Sequence, residues 1–226
     1  MEIDLKNKTP RRRTPKENKF PTGQASSLRG KPDIRYLNDM RDVIYDKEWL
    51  KTAPNLELYY MYRGLKRKNG LRYDITVIPP RMLGKEFVKT KGHKHIGSYG
   101  EVYIVLEGKA IFFMQKGEKR MIEDVYVIKA KKGEVAVIPS YYAHITINSS
   151  QKELKMANWM AEKAKSDYKP IQKMEGGCYY YTKEGWIKNK NYKKIPELHF
   201  KKPLKSVPKN LDFLKATPIT NNTRIY

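Results

Sequence analysis

Between residues 56 and 160, short apolar segments alternate with turn signals. Residues 56–62 and 71–78 each alternate apolar and polar side chains, as a strand does, and Asn69-Gly70 between them is typical of a hairpin. Because many short strands with glycine-bearing turns favour an antiparallel sandwich or small barrel over βαβ units, we expect an all-β fold. The other strand-like segments are residues 86–89, 101–106, 109–115, 125–129, 134–138, 144–148 and 154–160.

The two ends of the chain differ in composition from this strand-rich region. Residues 1–32 are basic and contain few large apolar side chains, so burial cannot offset their ordering entropy, and we expect a disordered arm. Residues 196–226 contain four prolines and little periodicity, which predicts an irregular basic tail. One domain over residues 33–195 remains, beginning with a short helical candidate at 37–50.

The formal net charge of +23 raises the question of a nucleic-acid partner. The charge is spread along the chain, with +6 in residues 1–32, +4 in residues 196–226 and +13 between them. A general lysine bias explains this distribution. Weak contact of the basic arms with polyanions is the alternative.

A single cysteine, Cys178, excludes an internal disulfide framework. The N-terminus lacks the apolar run of a secretory signal, and no segment approaches the roughly 20 apolar residues that span a bilayer. We therefore expect a cytoplasmic protein.

Three of the four histidines lie in a pattern typical of a metal site. His93 and His95 are two residues apart, which places both imidazoles on one face of a strand. Glu101 begins the next strand after a turn that contains glycine, so it can return beside the pair. His144 begins a later strand, from which it can complete the set from the opposite side of a barrel.

The spacing around these residues resembles the two signature motifs of the cupin superfamily. An HxH pair alone would carry little weight, but here two motifs agree over some 55 residues. Tyr141 stands where the second motif usually has glycine. The resemblance implies a cupin-type double-stranded β-helix, or jelly-roll, barrel. The matching residues are His93, His95, Glu101 and Gly108, then Gly133, Pro139, His144 and Asn148.

Three imidazoles and one carboxylate suit several divalent ions. Tetrahedral zinc would be saturated by four protein ligands, whereas an octahedral ion keeps positions open for water or substrate. We expect one divalent ion per chain, Fe(II) first, with Mn(II), Ni(II) or Zn(II) as alternatives.

Around these motifs the chain is similar to the cupin-type glucose-6-phosphate isomerases of archaea. The similarity runs from about Tyr36 to Lys194, and its most specific part is the block from Gly84 to His95 followed by Glu101-Val102-Tyr103. In that family the two motifs bind the metal, which implies the same role for His93, His95, Glu101 and His144. The resemblance further implies a homodimer that interconverts glucose 6-phosphate and fructose 6-phosphate.

The resemblance also suggests residues for substrate binding. The hydroxyl of Thr90 and the backbone N–H groups of Lys91-Gly92 can meet a phosphate, and Lys91 adds charge. Thr76 and Tyr168 match substrate contacts of the family. Tyr103 shares the face of Glu101 and should point inward. The chain departs from the family at Asn158-Trp159-Met160 and at Ser166, which affects the phosphate side of the predicted site.

The implied reaction moves a proton between C2 and C1 of the sugar through a metal-stabilised cis-enediolate, with Glu101 as the base and Tyr103 assisting. A direct hydride shift is the alternative mechanism. Two other classes of protein remain open, because the cupin fold alone does not define a function. They are a cupin oxygenase and a non-catalytic cupin that binds a metal, a sugar or a nucleic acid.

Overall fold

Two facing sheets form the body of the structure, a computed structural model that describes residues 30–215. In the larger sheet all neighbouring strands are antiparallel. In spatial order its strands are β1 (Asp33–Tyr36), β2 (Glu57–Lys68), β3 (Leu71–Ile78), β12 (Leu154–Ala161), β7 (Glu101–Glu107) and β10 (Val135–Ile138).

The second sheet faces the first and has four strands. In spatial order they are β11 (Ala143–Ile147), β8 (Lys109–Glu118), β9 (Met121–Lys131) and β16 (His199–Lys201). A smaller sheet contains β15 (Gly185–Lys188), β14 (Tyr179–Thr182), β5 (Glu86–Phe87) and β4 (Met82–Leu83), and β13 (Ser166–Asp167) pairs with β6 (Lys94–His95).

The chain crosses between the two large sheets after β7, after β9, after β10 and after β11. This alternation defines a double-stranded β-helix, so the expected all-β fold of the cupin type is confirmed. The hairpin predicted at Asn69-Gly70 joins β2 to β3, and both turn residues have a positive φ, as a two-residue hairpin turn requires.

Side-chain alternation along β8 separates two cores. Phe112 and Met114 face the larger sheet and pack in the main core between the sheets, whereas Phe113 points the other way. Phe113 stacks on Trp186 of the smaller sheet, with ring centroids 5.7 Å apart. The second sheet, which contains β8 and β11, is therefore covered on both faces. This packing holds β11 and its side chains in a fixed position.

The helices differ in part from the expectations, and the outer parts of both predicted tails are not described. The helical candidate forms a 3-10 helix, Leu37–Val43, and a separate α-helix, α1 (Lys47–Thr52), while α2 (Lys169–Lys173) was not predicted. Residues 1–29 of the predicted arm and 216–226 of the predicted tail lie outside the described residues.

The described part of the tail is more regular than its proline content suggests. β16 pairs in parallel with the edge of β9, and Leu204 exchanges two backbone hydrogen bonds of 2.9 Å with Val135 on the edge strand β10. The segment thus covers one exposed edge of each sheet, which protects strands that could otherwise pair with another chain. Among residues 30–215, no helix is long and apolar enough to cross a membrane.

A buried ion pair joins the N-terminal segment to the strand that leads into the histidine motif. Lys89 Nζ lies 2.6 Å from Glu86 Oε2, and the side chains are 5% and 0% exposed. Each partner has a second contact, since Lys89 Nζ donates to the Val43 carbonyl and Glu86 Oε1 accepts from the Tyr45 N–H. Both charges are therefore satisfied inside the protein.

Removing one partner of this pair should destabilise the fold strongly. Lys89→Met leaves the Glu86 carboxyl group buried without its partner, which should lower the free energy of unfolding by about 3–5 kcal/mol. The double variant Lys89→Met/Glu86→Gln should recover most of the loss, because a neutral amide still accepts from Tyr45. Urea denaturation of the wild type, the single variant and the double variant measures their free energies of unfolding. Equal stability of the two variants would contradict the role of the pair.

Candidate metal centre

A pair of backbone hydrogen bonds sets His93 and His144 side by side. The His144 N–H donates to the His93 carbonyl at 2.9 Å, and the His93 N–H donates back at 3.3 Å. Residues opposite each other in an antiparallel bridge project their side chains to the same face. The two ring centroids are consequently 4.4 Å apart, and the His93 ring lies 5.3 Å from that of His95.

The carboxylate comes from the opposite sheet. Glu101 is the first residue of β7, is 2% exposed and points between the two large sheets. Its Oε2 atom lies 3.2 Å from His144 Nε2 and 3.4 Å from His95 Nε2. We expected His144 to complete the set from across the barrel. That expectation was wrong, because His144 is bridged to His93 and Glu101 is the residue that faces the histidines.

The hydrogen bonds of His95 test whether the cluster suits a cation. Its Nδ1 atom lies 3.3 Å from the carbonyl oxygen of Tyr99, which can only accept, so Nδ1 carries the proton. The Nε2 lone pair then faces Glu101 Oε2, and neither atom has a hydrogen-bond partner among the described residues. Two buried lone-pair atoms in contact repel each other unless a cation lies between them. The donor set therefore fits a divalent metal ion.

The electrostatics agree with this assignment. Desolvation lowers the pKa of His93 well below its ordinary value, with the neighbouring His144 adding to the effect. Burial also lowers the pKa of His95, even though Glu101 opposes the shift. For Glu101, burial would raise the pKa, but His144 and His95 together outweigh it and the net pKa is lowered. At neutral pH the cluster thus holds neutral His93 and His95 and a carboxylate, the forms that bind metals.

Tyr103 lies next to the cluster, as its spacing from Glu101 predicted. Its hydroxyl is 3.3 Å from His144 Nε2, and the side chain is 7% exposed. Burial raises the pKa of Tyr103 well above its ordinary value, and the negative charge of Glu101 adds to this. The hydroxyl therefore remains protonated and can donate to an oxygen atom in the adjoining cleft.

A cleft opens from the cluster between the larger sheet and the segment before His93. All the predicted substrate-binding residues line this cleft, together with the predicted ligands His93 and Glu101 and the predicted catalytic Tyr103. The other two predicted ligands, His95 and His144, lie behind this surface. The predicted residues on the cleft wall are Thr76, Thr90, Lys91, Gly92, His93, Glu101, Tyr103 and Tyr168.

The segment before His93 presents donors to the cleft. The Thr90 hydroxyl accepts from the Thr146 N–H at 2.9 Å, which leaves its own hydrogen free to donate. Gly92 has a φ of +82°, and a Cβ there would lie 2.6 Å from Ile145 Cγ1, so both conformation and packing require glycine.

Lys91 is less available to a ligand than its position in the sequence suggests. Its Nζ atom donates to the Asp39 carbonyl at 2.6 Å and lies 3.7 Å from the Asp42 carboxylate. Direct contact with a ligand would therefore require another rotamer. In its present place Lys91 contributes positive potential at the edge of the cleft.

The stretch at which the chain departs from the archaeal pattern divides between two sides of the sheet. Asn158 and Met160 face the cleft, whereas Trp159 packs on Tyr73 and lines a different groove. Ser166, paired with His95, also faces the cleft, and Tyr168 places its ring 5.4 Å from that of His93. The difference at Trp159 consequently does not alter the cleft.

Several residues of the cleft wall were not identified from the sequence. Arg63 and Arg72 lie on β2 and β3, each beside a carboxylate, at 2.9 Å from Asp33 and 3.0 Å from Asp74. Tyr59 accepts a hydrogen bond from the Lys91 N–H at 3.2 Å. Strand alternation could have placed these side chains on one face, but only the fold shows that this face is the cleft.

The barrel and its histidine–glutamate cluster define a cupin-type protein with a candidate metal centre. A family model described as glucose-6-phosphate isomerase (GPI) matches residues 35–197. Since this match covers most of the chain, the protein belongs to the glucose-6-phosphate isomerase family, which confirms the resemblance found in the sequence.

Curated relatives agree with the family match. The chain is similar to the glucose-6-phosphate isomerases of Thermococcus litoralis (34% identical, covering 54% of this chain and 65% of that protein) and Pyrococcus horikoshii (34%, covering 51% and 62%). It thus spans less than two thirds of either relative. The Thermococcus kodakarensis protein is 27% identical over an aligned region that covers 69% of this chain and 82% of that protein. Among solved structures, an oxalate oxidase in complex with a substrate analogue is 17% identical with a TM-score of 0.38, over 48% of this chain and 52% of that one.

Loss of a cluster side chain should weaken metal binding. His95→Ala and Glu101→Ala should each reduce the affinity for Mn(II) at least about 100-fold, since even residues that only support a ligand contribute 10–100-fold. Isothermal titration of the apo protein measures this. The matched control is His199→Ala, whose ring is 49% exposed and lies elsewhere on the surface. Wild-type affinity in Glu101→Ala would contradict the assignment.

Proposed function

We propose that the protein interconverts glucose 6-phosphate and fructose 6-phosphate by moving a proton between C2 and C1 of the open-chain sugar. The observation that carries this proposal is the position of Glu101 on the cleft wall, between the histidine cluster and a surface of hydroxyl and guanidinium donors. Membership of the glucose-6-phosphate isomerase family supports the same substrate.

We propose Glu101 as the base that carries the proton. Its lowered pKa keeps it ionised at neutral pH, but a carboxylate bound to a divalent ion is a weakened base, so Glu101 would have to loosen from the ion to accept the proton. The ion, held by His93, His95, His144 and Glu101, would supply Lewis-acid polarisation of the sugar carbonyl, which makes the neighbouring C–H more acidic. We retain Fe(II), Mn(II), Ni(II) and Zn(II) as candidates for that ion.

Hydroxyl groups would control the oxygen atoms of the sugar. Tyr103 keeps its proton and can donate to an oxygen on which negative charge develops as the C–H bond breaks. The cis-enediolate formed by this proton transfer would therefore have a neutral donor beside it. Thr76, on β3 and 8% exposed, offers a further hydroxyl on the same wall.

The phosphate is expected to lie near the segment before His93. Thr90 and the backbone at Gly92 present donors, and burial raises the pKa of Tyr59, so its hydroxyl keeps a proton to donate. Tyr168 lies on the same part of the wall. Arg63 and Arg72 add guanidinium donors to the cleft, although each is paired with a carboxylate, Asp33 and Asp74 respectively.

Chelation and replacement of the metal test the proposal. We expect isomerase activity, measured by coupling glucose 6-phosphate formation to a dehydrogenase, to disappear on chelation and to return with a divalent ion. Glu101→Gln should lower kcat by about 10²–10⁴-fold, the usual contribution of acid–base catalysis. His199→Ala should retain wild-type activity. Full activity of the metal-free protein would refute metal dependence, and oxygen consumption without isomerisation would favour an oxygenase.

Proton transfer can be separated from a hydride shift with deuterated solvent. A base that exchanges its proton with water should introduce deuterium at C2 during turnover, which NMR of the recovered sugar phosphate detects. Turnover with no incorporation of deuterium would support a hydride shift and remove Glu101 from the role of base.

The homodimer remains a prediction that light scattering can test.

A further inference from the structure

Asn158 is a buried amide at the centre of the larger sheet. On β12 it lies opposite Asp74 of β3 and opposite Tyr103 of β7, and it is 4% exposed. Its side chain faces the cleft. Carboxamides are rarely buried without hydrogen-bond partners, so the contacts of this side chain indicate its role.

The amide donates to the carboxylate that faces the histidines. Asn158 Nδ2 lies 2.6 Å from Glu101 Oε1, and both residues are buried. The opposite orientation of the amide would place two acceptor oxygens at that distance, so the N–H assignment follows from the chemistry. A donor to an ionised carboxylate forms one of the stronger hydrogen bonds in proteins.

The register of the sheet produces this contact. Glu101 lies opposite Met160, and Asn158 is two residues before Met160 on the same face of β12. Diagonal neighbours of this kind are within reach of long side chains. The distance between Asn158 and Glu101 is therefore fixed by the backbone of two paired strands, which is more rigid than a loop.

The two oxygen atoms of Glu101 thus have different surroundings. Oε1 is occupied by Asn158, whereas Oε2 faces His95 and His144. We propose that Asn158 is a positioning residue that holds Oε1 away from the histidine cluster, so that Glu101 offers a single oxygen atom to a bound divalent cation. Without this restraint, the carboxylate could rotate and offer both oxygens.

The number of carboxylate oxygens bound determines how many coordination positions stay open. A carboxylate can bind a cation through one or two oxygens, and the second would occupy a position that a substrate oxygen needs. The kinetic part of this inference depends on the proposed isomerase function. The coordination part does not, because it concerns Glu101 and the cation alone.

Substitutions that remove the donor test the inference with Co(II) as the probe. Asn158→Leu has a similar volume and no N–H, and Asn158→Ala is a second variant that removes the donor without adding bulk. We expect either variant to bind Co(II) about 10–100-fold more weakly. The visible d–d absorption should also change in position or intensity, because it reports the coordination number. Asn189→Ala is the matched control, since Asn189 is a buried amide that holds the Met174 and Gly177 carbonyls instead.

The outcomes separate this inference from the proposed function. A changed Co(II) spectrum in the Asn158 variants, with a wild-type spectrum in Asn189→Ala, would support the positioning role even if the wild-type protein had no isomerase activity. Wild-type spectra and affinities in both folded Asn158 variants would overturn it. If isomerase activity is present, the variants should lower kcat more than they change KM, and an unchanged kcat would also count against the positioning role.

Discussion

The antiparallel bridge between His93 and His144, facing Glu101 across the barrel, is the constraint on which the site depends. Two backbone hydrogen bonds place the imidazoles side by side, and the opposing sheet brings the carboxylate to 3.2 Å from His144. These are lone-pair donors gathered in a buried place, an arrangement that is unfavourable unless a cation compensates it. The cluster therefore fits a divalent ion.

The rest of the structure keeps these few side chains in place. The second core covers the outer face of β11, and the Lys89–Glu86 pair fixes the segment that leads to Gly92 and His93. The C-terminal segment covers the free edges of β9 and β10, so the two sheets remain paired only with their own chain. Rigid support of this kind is what a metal centre needs in order to hold its geometry.

The sequence predicted those parts of the site that depend on local spacing. The HxH pair, the following glutamate and the later histidine are recognisable because each lies at a fixed distance from a turn or strand start. Tyr141 illustrates the same point, since its φ of +71° explains why the motif usually has glycine there. Contacts between distant strands could not be predicted. Asn158 is 57 residues from Glu101, and only the register of β12 on β7 brings them together.

Charge and composition did not reveal two further features. The prolines after residue 196 suggested an irregular tail, yet a short strand forms there because the edge of β9 offers unpaired backbone groups. Lys91 is predicted to meet a substrate, and the sequence did not show that its ammonium group donates to the Asp39 carbonyl. Both differences arise from tertiary partners that a single sequence does not reveal.

The central claim is that His93, His95, Glu101 and His144 together bind one divalent ion. Anomalous diffraction from crystals of the Mn(II)-loaded protein tests it most directly. We predict one peak between the two sheets, with the imidazole nitrogens and a single Glu101 oxygen at about 2.0–2.3 Å. A protein that binds no ion at this position, or one whose ion is held without Glu101, would contradict the account.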